Sequence, residues 1–201
     1  MPVFKIQHIT KYKYDRPVRE SANQIKIFPF AKVGQEILSH ELVITDEPNI
    51  NKFQDYWNNT VGFFSVSKPH EELVIDSRLI AKTSFQFIDE SLSTKNDWEI
   101  LKQEIAKNII FLDLAQIEKI KTQEKIQLIL DHIYEQNDSP LESTKKCSKY
   151  IFDNFKYIKG ITTVETTIDQ ILEFRSGVCQ DFAHVLLQLL RTIGIPSRYV
   201  S

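Results

Sequence analysis

No run of about 18 consecutive apolar residues occurs in this chain, which excludes a membrane-spanning helix on the usual length criterion. The first residues, MPVFKIQHIT, lack the apolar centre of a secretory signal. Nor is there a block of lysine and arginine long enough to follow a phosphate backbone. The 25 basic and 27 acidic residues are mixed and leave a formal net charge of −2, so nucleic acid is not expected as the main partner. Cysteine is rare, with only Cys147 and Cys179. Two thiols do not make a disulfide scaffold, and no two of the few cysteines and histidines show ligand spacing on one element. Neither a metal nor a cofactor is therefore expected. Internal repeats and low-complexity tracts are also missing. These absences leave a soluble, cytoplasmic globular protein with free thiols and no membrane partner as the expectation.

What is present divides near residue 90. With 201 residues and 42% hydrophobic content, the chain can bury one large core or two small ones. Before residue 90 the periodicity is that of strands. Leu38, His40, Leu42 and Ile44 alternate, as do Leu73, Ile75, Leu79 and Ala81, while Phe4, Ile6, Tyr12 and Tyr14 share one parity. Asp15-Arg16-Pro17, Asp46-Glu47-Pro48, Asn58-Asn59 and Lys68-Pro69 separate the runs. Several strands with one apolar face each predict an antiparallel β-sandwich over 1–90. After residue 95 the period is helical. Ile126, Ile129, Leu130 and Ile133 form one stripe, and Cys147, Tyr150, Ile151, Phe155 and Ile158 a second. Thr167 and Gln170 have the spacing of a capping box. A last helix from about Val178 to Ile193 is apolar on most sides, with Gly194 as its stop and Pro196 beyond. The fold class is α+β, with a linker at Asp89 to Asn96 and a second domain over 91–201.

Cys179 stands at the entrance of that last helix. The first helical turn has unpaired N–H groups and the positive end of the macrodipole, so a thiolate is stabilised there. The same N–H groups can hold the oxyanion formed when the thiolate attacks an amide carbonyl. Gly177 lets the backbone turn sharply and leaves room for a substrate. Gly177-Val178-Cys179 is therefore the candidate nucleophile loop of a cysteine-based acyl transfer, with core packing of the thiol as its alternative. Cys147, in mid-helix on an amphipathic stripe, reads as core. His184 follows five positions after Cys179, about 140° around the helix and about 7.5 Å along it, and cannot face the same substrate. Asp181 reads as a first-turn carboxylate complementing the dipole. His8 and His40 fall in strands, His70 in a turn and His132 beside an apolar helix face, so no general base is legible.

The stretches Gly177-Val-Cys-Gln-Asp-Phe-Ala-His184 and Leu190-Arg-Thr-Ile-Gly-Ile-Pro-Ser-Arg-Tyr-Val200 closely resemble the nucleophile helix of the bacterial transglutaminase-like superfamily. Tyr157 to Gly160 and the Thr-rich stretch to Ile168 are similar to that family's approach to the nucleophile. Asp55-Tyr-Trp-Asn-Asn-Thr-Val-Gly-Phe-Phe-Ser-Val and Pro69-His-Glu-Glu-Leu resemble the β-sandwich preceding the catalytic core in one bacterial branch. The resemblance implies a papain-like, transglutaminase-like core with Cys179 as the thiol of a Cys-His-Asp triad. Its substrate would be a protein or peptide, attacked at a glutamine carboxamide or peptide bond through a thioester. Asp181, His184 and Arg191 would support the nucleophile helix rather than react. In that family the catalytic histidine and aspartate lie on strands after this helix, so they are expected beyond residue 201, in a longer protein.

Two other readings remain open at this level. The β-sandwich could be a non-catalytic interaction module, with Cys179 structural. Lys145, Lys146, Lys149, Lys156 and Lys159 could contact nucleic acid, or could be the solvated face of an amphipathic helix.

Overall fold

The computed structural model describes residues 1–30, 34–84, 89, 92–163 and 165–200. The chain forms two compact units, Met1–Ile88 and Asp89–Ser201. Of the linker expected at Asp89 to Asn96, residues 90 and 91 lie outside the described residues.

The first unit is built from β1 (Val3–Val18), β2 (Ser21–Ile25), β3 (Gln35–Ile44), β4 (Asn51–Gln54), β5 (Thr60–Val66) and β6 (His70–Thr83). They make two three-stranded sheets, ordered β1-β6-β3 and β2-β5-β4, and every pair is antiparallel. Alternation decides which side chains meet. Ile44, Leu73 and Ile75 of one sheet and Ile25, Phe64 and Val66 of the other form a single buried cluster. Phe4 and Ile6, which pair with Ala81 and Leu79 at the other end of the long sheet, stay about half exposed. The expected alternation across β3 breaks at one point. A register shift between Ile37 and Ser39 leaves Leu38 without a cross-strand partner and exposed, because a bulge adds one residue to one side of the ladder. His70, expected in a turn, is the first residue of β6.

The Asp-Tyr-Trp-Asn-Asn stretch is the β4–β5 turn. Asp55 accepts hydrogen bonds from the N–H groups of Trp57 and Asn59, from Asn59 Nδ2 and from Lys26 Nζ. The bonds from Asn59 lead in holding this carboxyl down to about 2. Asn58 takes the left-handed φ of 62° that the reversal needs.

The second unit holds α1 (Asp97–Lys107), α2 (Ile109–Leu114), α3 (Gln123–Ile133), α4 (Pro140–Asn154), β7 (Lys156–Tyr157), α5 (Ile168–Phe174), β8 (Ser176–Gly177) and α6 (Cys179–Thr192). The α3 stripe packs as its spacing requires, with Ile126, Ile129 and Leu130 buried. They join Cys147, Ile151 and Phe155 of the α4 region, Ile168, Ile171 and Leu172 of α5, and Val185, Leu189 and Leu190 of α6 in one core. The second stripe is shorter than expected. α4 ends at Asn154, Phe155 caps it in extended conformation, and β7 carries the chain away. Ile158 is therefore outside the helix and exposed. Gly194 ends α6 with φ 85°, and its N–H donates to the Arg191 carbonyl.

Candidate active site

The approach to Cys179 is set by short-range rules. Thr167 caps α5 in a reciprocal box. Its Oγ1 accepts from the Gln170 N–H, and Gln170 Oε1 accepts from the Thr167 N–H. α5 stops at Arg175, whose φ of 47° and ψ of 39° turn the chain sharply. β8 then runs parallel to β7, with Lys156 N–H donating to the Arg175 carbonyl and Ile158 N–H to the Gly177 carbonyl, both at 2.9 Å. Val178 is extended and Cys179 begins α6. The segment after α4 and the segment before α6 are thus laced together at the helix entrance.

Cys179 occupies the first helical position and its thiol is exposed. Among the described residues no side chain hydrogen-bonds that sulfur. Two positions away, Asp181 is buried at 6% exposure. Its Oδ2 accepts from the Val178 N–H and from Thr162 Oγ1, each at 2.7 Å. The same carboxylate explains Gly177. A Cβ built there would lie 2.5 Å from Asp181 Oδ2 and 2.9 Å from Asp181 Cβ, so only glycine leaves room for it. Within Gly177-Val178-Cys179 the donors now separate. The Val178 N–H is committed to Asp181, whereas the Cys179 N–H lies in the first turn and has no intrahelical acceptor. Among the described residues no acceptor outside the helix meets it.

The other candidates fall elsewhere. His184 is half-buried on α6 and its ring stacks on Tyr199, with centroids 5.6 Å apart and planes 5° from parallel. Arg191 donates to the Ser197 carbonyl and ties down the chain after α6. Cys147 is sealed in the core at 1% exposure, and burial pushes its thiol up to about 11. His40 is held by Ser77 Oγ, and burial, followed by the charge of Lys52, lowers its pKa. His70 is buried between Ser21 Oγ and the Lys68 carbonyl, and His8 and His132 are exposed. No group of three or more metal-ligating side chains converges among the described residues. No described helix is long and apolar enough to cross a membrane. Of the five lysines weighed for nucleic acid, Lys146 is ion-paired with Asp138 and Glu135, and Lys149 with Asp153.

Sequence reasoning missed Thr162 and Gln188. Nothing in a Thr-rich stretch singles out the one hydroxyl that meets a carboxylate 19 positions later. Gln188, at 1% exposure, donates to the Glu118 carbonyl and to Gln123 Oε1. Its place amid leucines was the available signal, since a buried amide needs partners.

A thiol at the mouth of a helix that packs one face into the core, preceded by a β-sandwich unit, defines a class of two-part α+β proteins, and comparison with known proteins assigns it. Residues 4–82 match the bacterial transglutaminase-like N-terminal region, and residues 129–201 match the transglutaminase-like superfamily. The chain belongs to the bacterial transglutaminase-like superfamily, a family of cysteine-based enzymes. It is 27% identical to the uncharacterized protein ML0607 of Mycobacterium leprae, over 98% of this chain and 69% of that protein. It is 24% identical to the uncharacterized protein Rv2569c of Mycobacterium tuberculosis, over 98% of this chain and 64% of that one. The chain thus spans about two thirds of the length of these relatives. In fold it is similar to a crystal structure described as a "Putative Cysteine Protease from Cytophaga hutchinsonii". That likeness has a TM-score of 0.75 at 18% identity and covers 96% of this chain and 64% of the other.

Proposed function

We propose that this chain carries the nucleophile of a cysteine-dependent acyl transferase or amide hydrolase acting on a protein or peptide. The observation that carries the reading is the contrast at α6. Its first residue is an exposed thiol beside a free backbone donor, while the chain's other thiol is sealed. The Cys179 thiolate attacks the carbonyl carbon of a glutamine carboxamide or peptide bond, and a C–S bond forms. The carbonyl electrons move onto oxygen, where the Cys179 N–H meets the charge. Collapse breaks the C–N bond, the amine leaves with a proton, and a thioester stays on Sγ. Water or a second amine then takes the acyl group. In this reading the general base and its orienting carboxylate come from sequence after residue 201. The relatives named above are longer than the stretch they share with this chain, which is consistent with that placement.

The test is acylation of the protein by 4-nitrophenyl acetate, with the acetyl group mapped by mass spectrometry. Cys179 is expected to be acetylated faster than free cysteine under the same conditions, and Cys179→Ser to lose the adduct. Acetylation no faster than that of free cysteine overturns the proposal.

A further inference from the structure

Asp181 is not used in the chemistry just described, yet its carboxylate is built into the nucleophile's surroundings. It is 6% exposed and has no basic partner among its hydrogen bonds. Burying a carboxylate costs free energy unless several donors meet it. Here one donor is the backbone N–H immediately before the nucleophile, and the other is the hydroxyl of Thr162 on the segment between β7 and α5. Both are 2.7 Å from the same oxygen, Oδ2. The absence of a side chain at Gly177 provides the space that this oxygen occupies.

We infer that Asp181 is a positioning residue for acyl transfer. By holding the Val178 N–H it fixes the peptide plane entering α6, and so aims the next N–H, that of Cys179, at the place where the oxyanion forms. Through Thr162 it also sets the β7–α5 segment against the same entrance. This rests on the reading of Cys179 as the nucleophile. The arrangement has a particular consequence. Alkylation by iodoacetamide displaces iodide from carbon in one step and makes no oxyanion. Acylation by 4-nitrophenyl acetate forms the C–S bond, places charge on the carbonyl oxygen, and then expels 4-nitrophenolate. Both reactions use the same thiolate, but only the second uses the aimed N–H. The ratio of the two rates therefore reports the aim and cancels the thiolate fraction.

The experiment measures both rates at Cys179 in the whole chain, with failure of Cys147 to label serving as the sign that the fold is intact. In Asp181→Ala the acylation-to-alkylation ratio is expected to fall about tenfold or more, as misplacement of a reacting group does. Asp181→Asn keeps an oxygen that can accept the same bond and is expected to restore the ratio to within about threefold of the parent. Gly177→Ala pushes the carboxylate off from the other side without removing it, and should lower the ratio as Asp181→Ala does. If Asp181→Ala exposes Cys147, Gly177→Ala decides the question. A parental ratio in a folded Asp181→Ala or Gly177→Ala protein overturns the inference. A parental ratio no higher than that of free cysteine overturns instead the nucleophile reading on which it rests.

Discussion

Cys147 lies in the middle of α4, 1% exposed, among Ile126, Ile151, Val185 and Leu189. Cys179 opens α6 with its sulfur in solvent. The two residues belong to one unit and differ only in place. Burial strips water from the first thiol and holds its proton up to about 11. The second is exposed at a helix start, where first-turn N–H groups have no intrahelical acceptor. The comparison teaches that a cysteine's chemistry is set by whether its helix hides it mid-stripe or displays it at a terminus.

The sharpest way to break that comparison is labelling. In the folded chain at pH 7, Cys179 should react with iodoacetamide at least about a thousand times faster than Cys147, since the thiolate is the reacting form and a buried thiol is inert. Peptide mapping after timed quenching measures both, and equal rates would end the distinction.

Stability should separate the pair next. Cys147→Ser places a hydroxyl in the apolar core and should cost about 1–2 kcal/mol. Cys179→Ser, at an exposed position, should change stability by less than about 0.5 kcal/mol. Urea midpoints of the two variants read the difference.

A pH scan sharpens the same contrast. The unfolded chain loses the Cys147 proton from the ordinary value of 9.0, whereas the folded chain holds it until about 11. Between those values the unfolded state binds fewer protons, so stability falls as pH rises. Cys147→Ala should lose that slope and Cys179→Ala should keep it. Asp55 supplies the opposite sign in the first unit. Its folded value of about 2 lies below the ordinary 3.8, so its contribution is present above about 4 and is lost as pH falls through about 2. The deficit of Asp55→Asn, measured by urea, should accordingly shrink between pH 5 and pH 2.

A last, local effect concerns how Cys179 is delivered to its place. Thr167→Ala removes the α5 cap and should cost about 1 kcal/mol. It should leave Cys147 unlabelled, because the cap lies outside the core that covers it.

Much of this was legible before any coordinates. The capping box at Thr167 and Gln170, the stop at Gly194 and the α3 stripe follow from local rules acting within one or two turns. The burial of Cys147 was legible because its neighbours at helical spacing are apolar. Local rules failed where chain direction changed. Ile158 kept helical spacing on paper, yet α4 had already ended at Asn154 to let β7 pair with β8. Leu38 kept strand parity, yet a bulge beside Ile37 took it out of register. Pairing partners distant in sequence decided both.

The sequence by itself determined the class of fold, the capped start of α5, the extent of α6 and the thiol worth following, because each depends on periodicity or on the chemistry of a helix terminus. Only the tertiary structure decided the partners of Asp181. Its carboxylate meets a hydroxyl 19 positions away, and its nearness excludes any side chain at Gly177. Such contacts arise when separate segments pack around one buried polar group, and neither residue carries a mark of it alone.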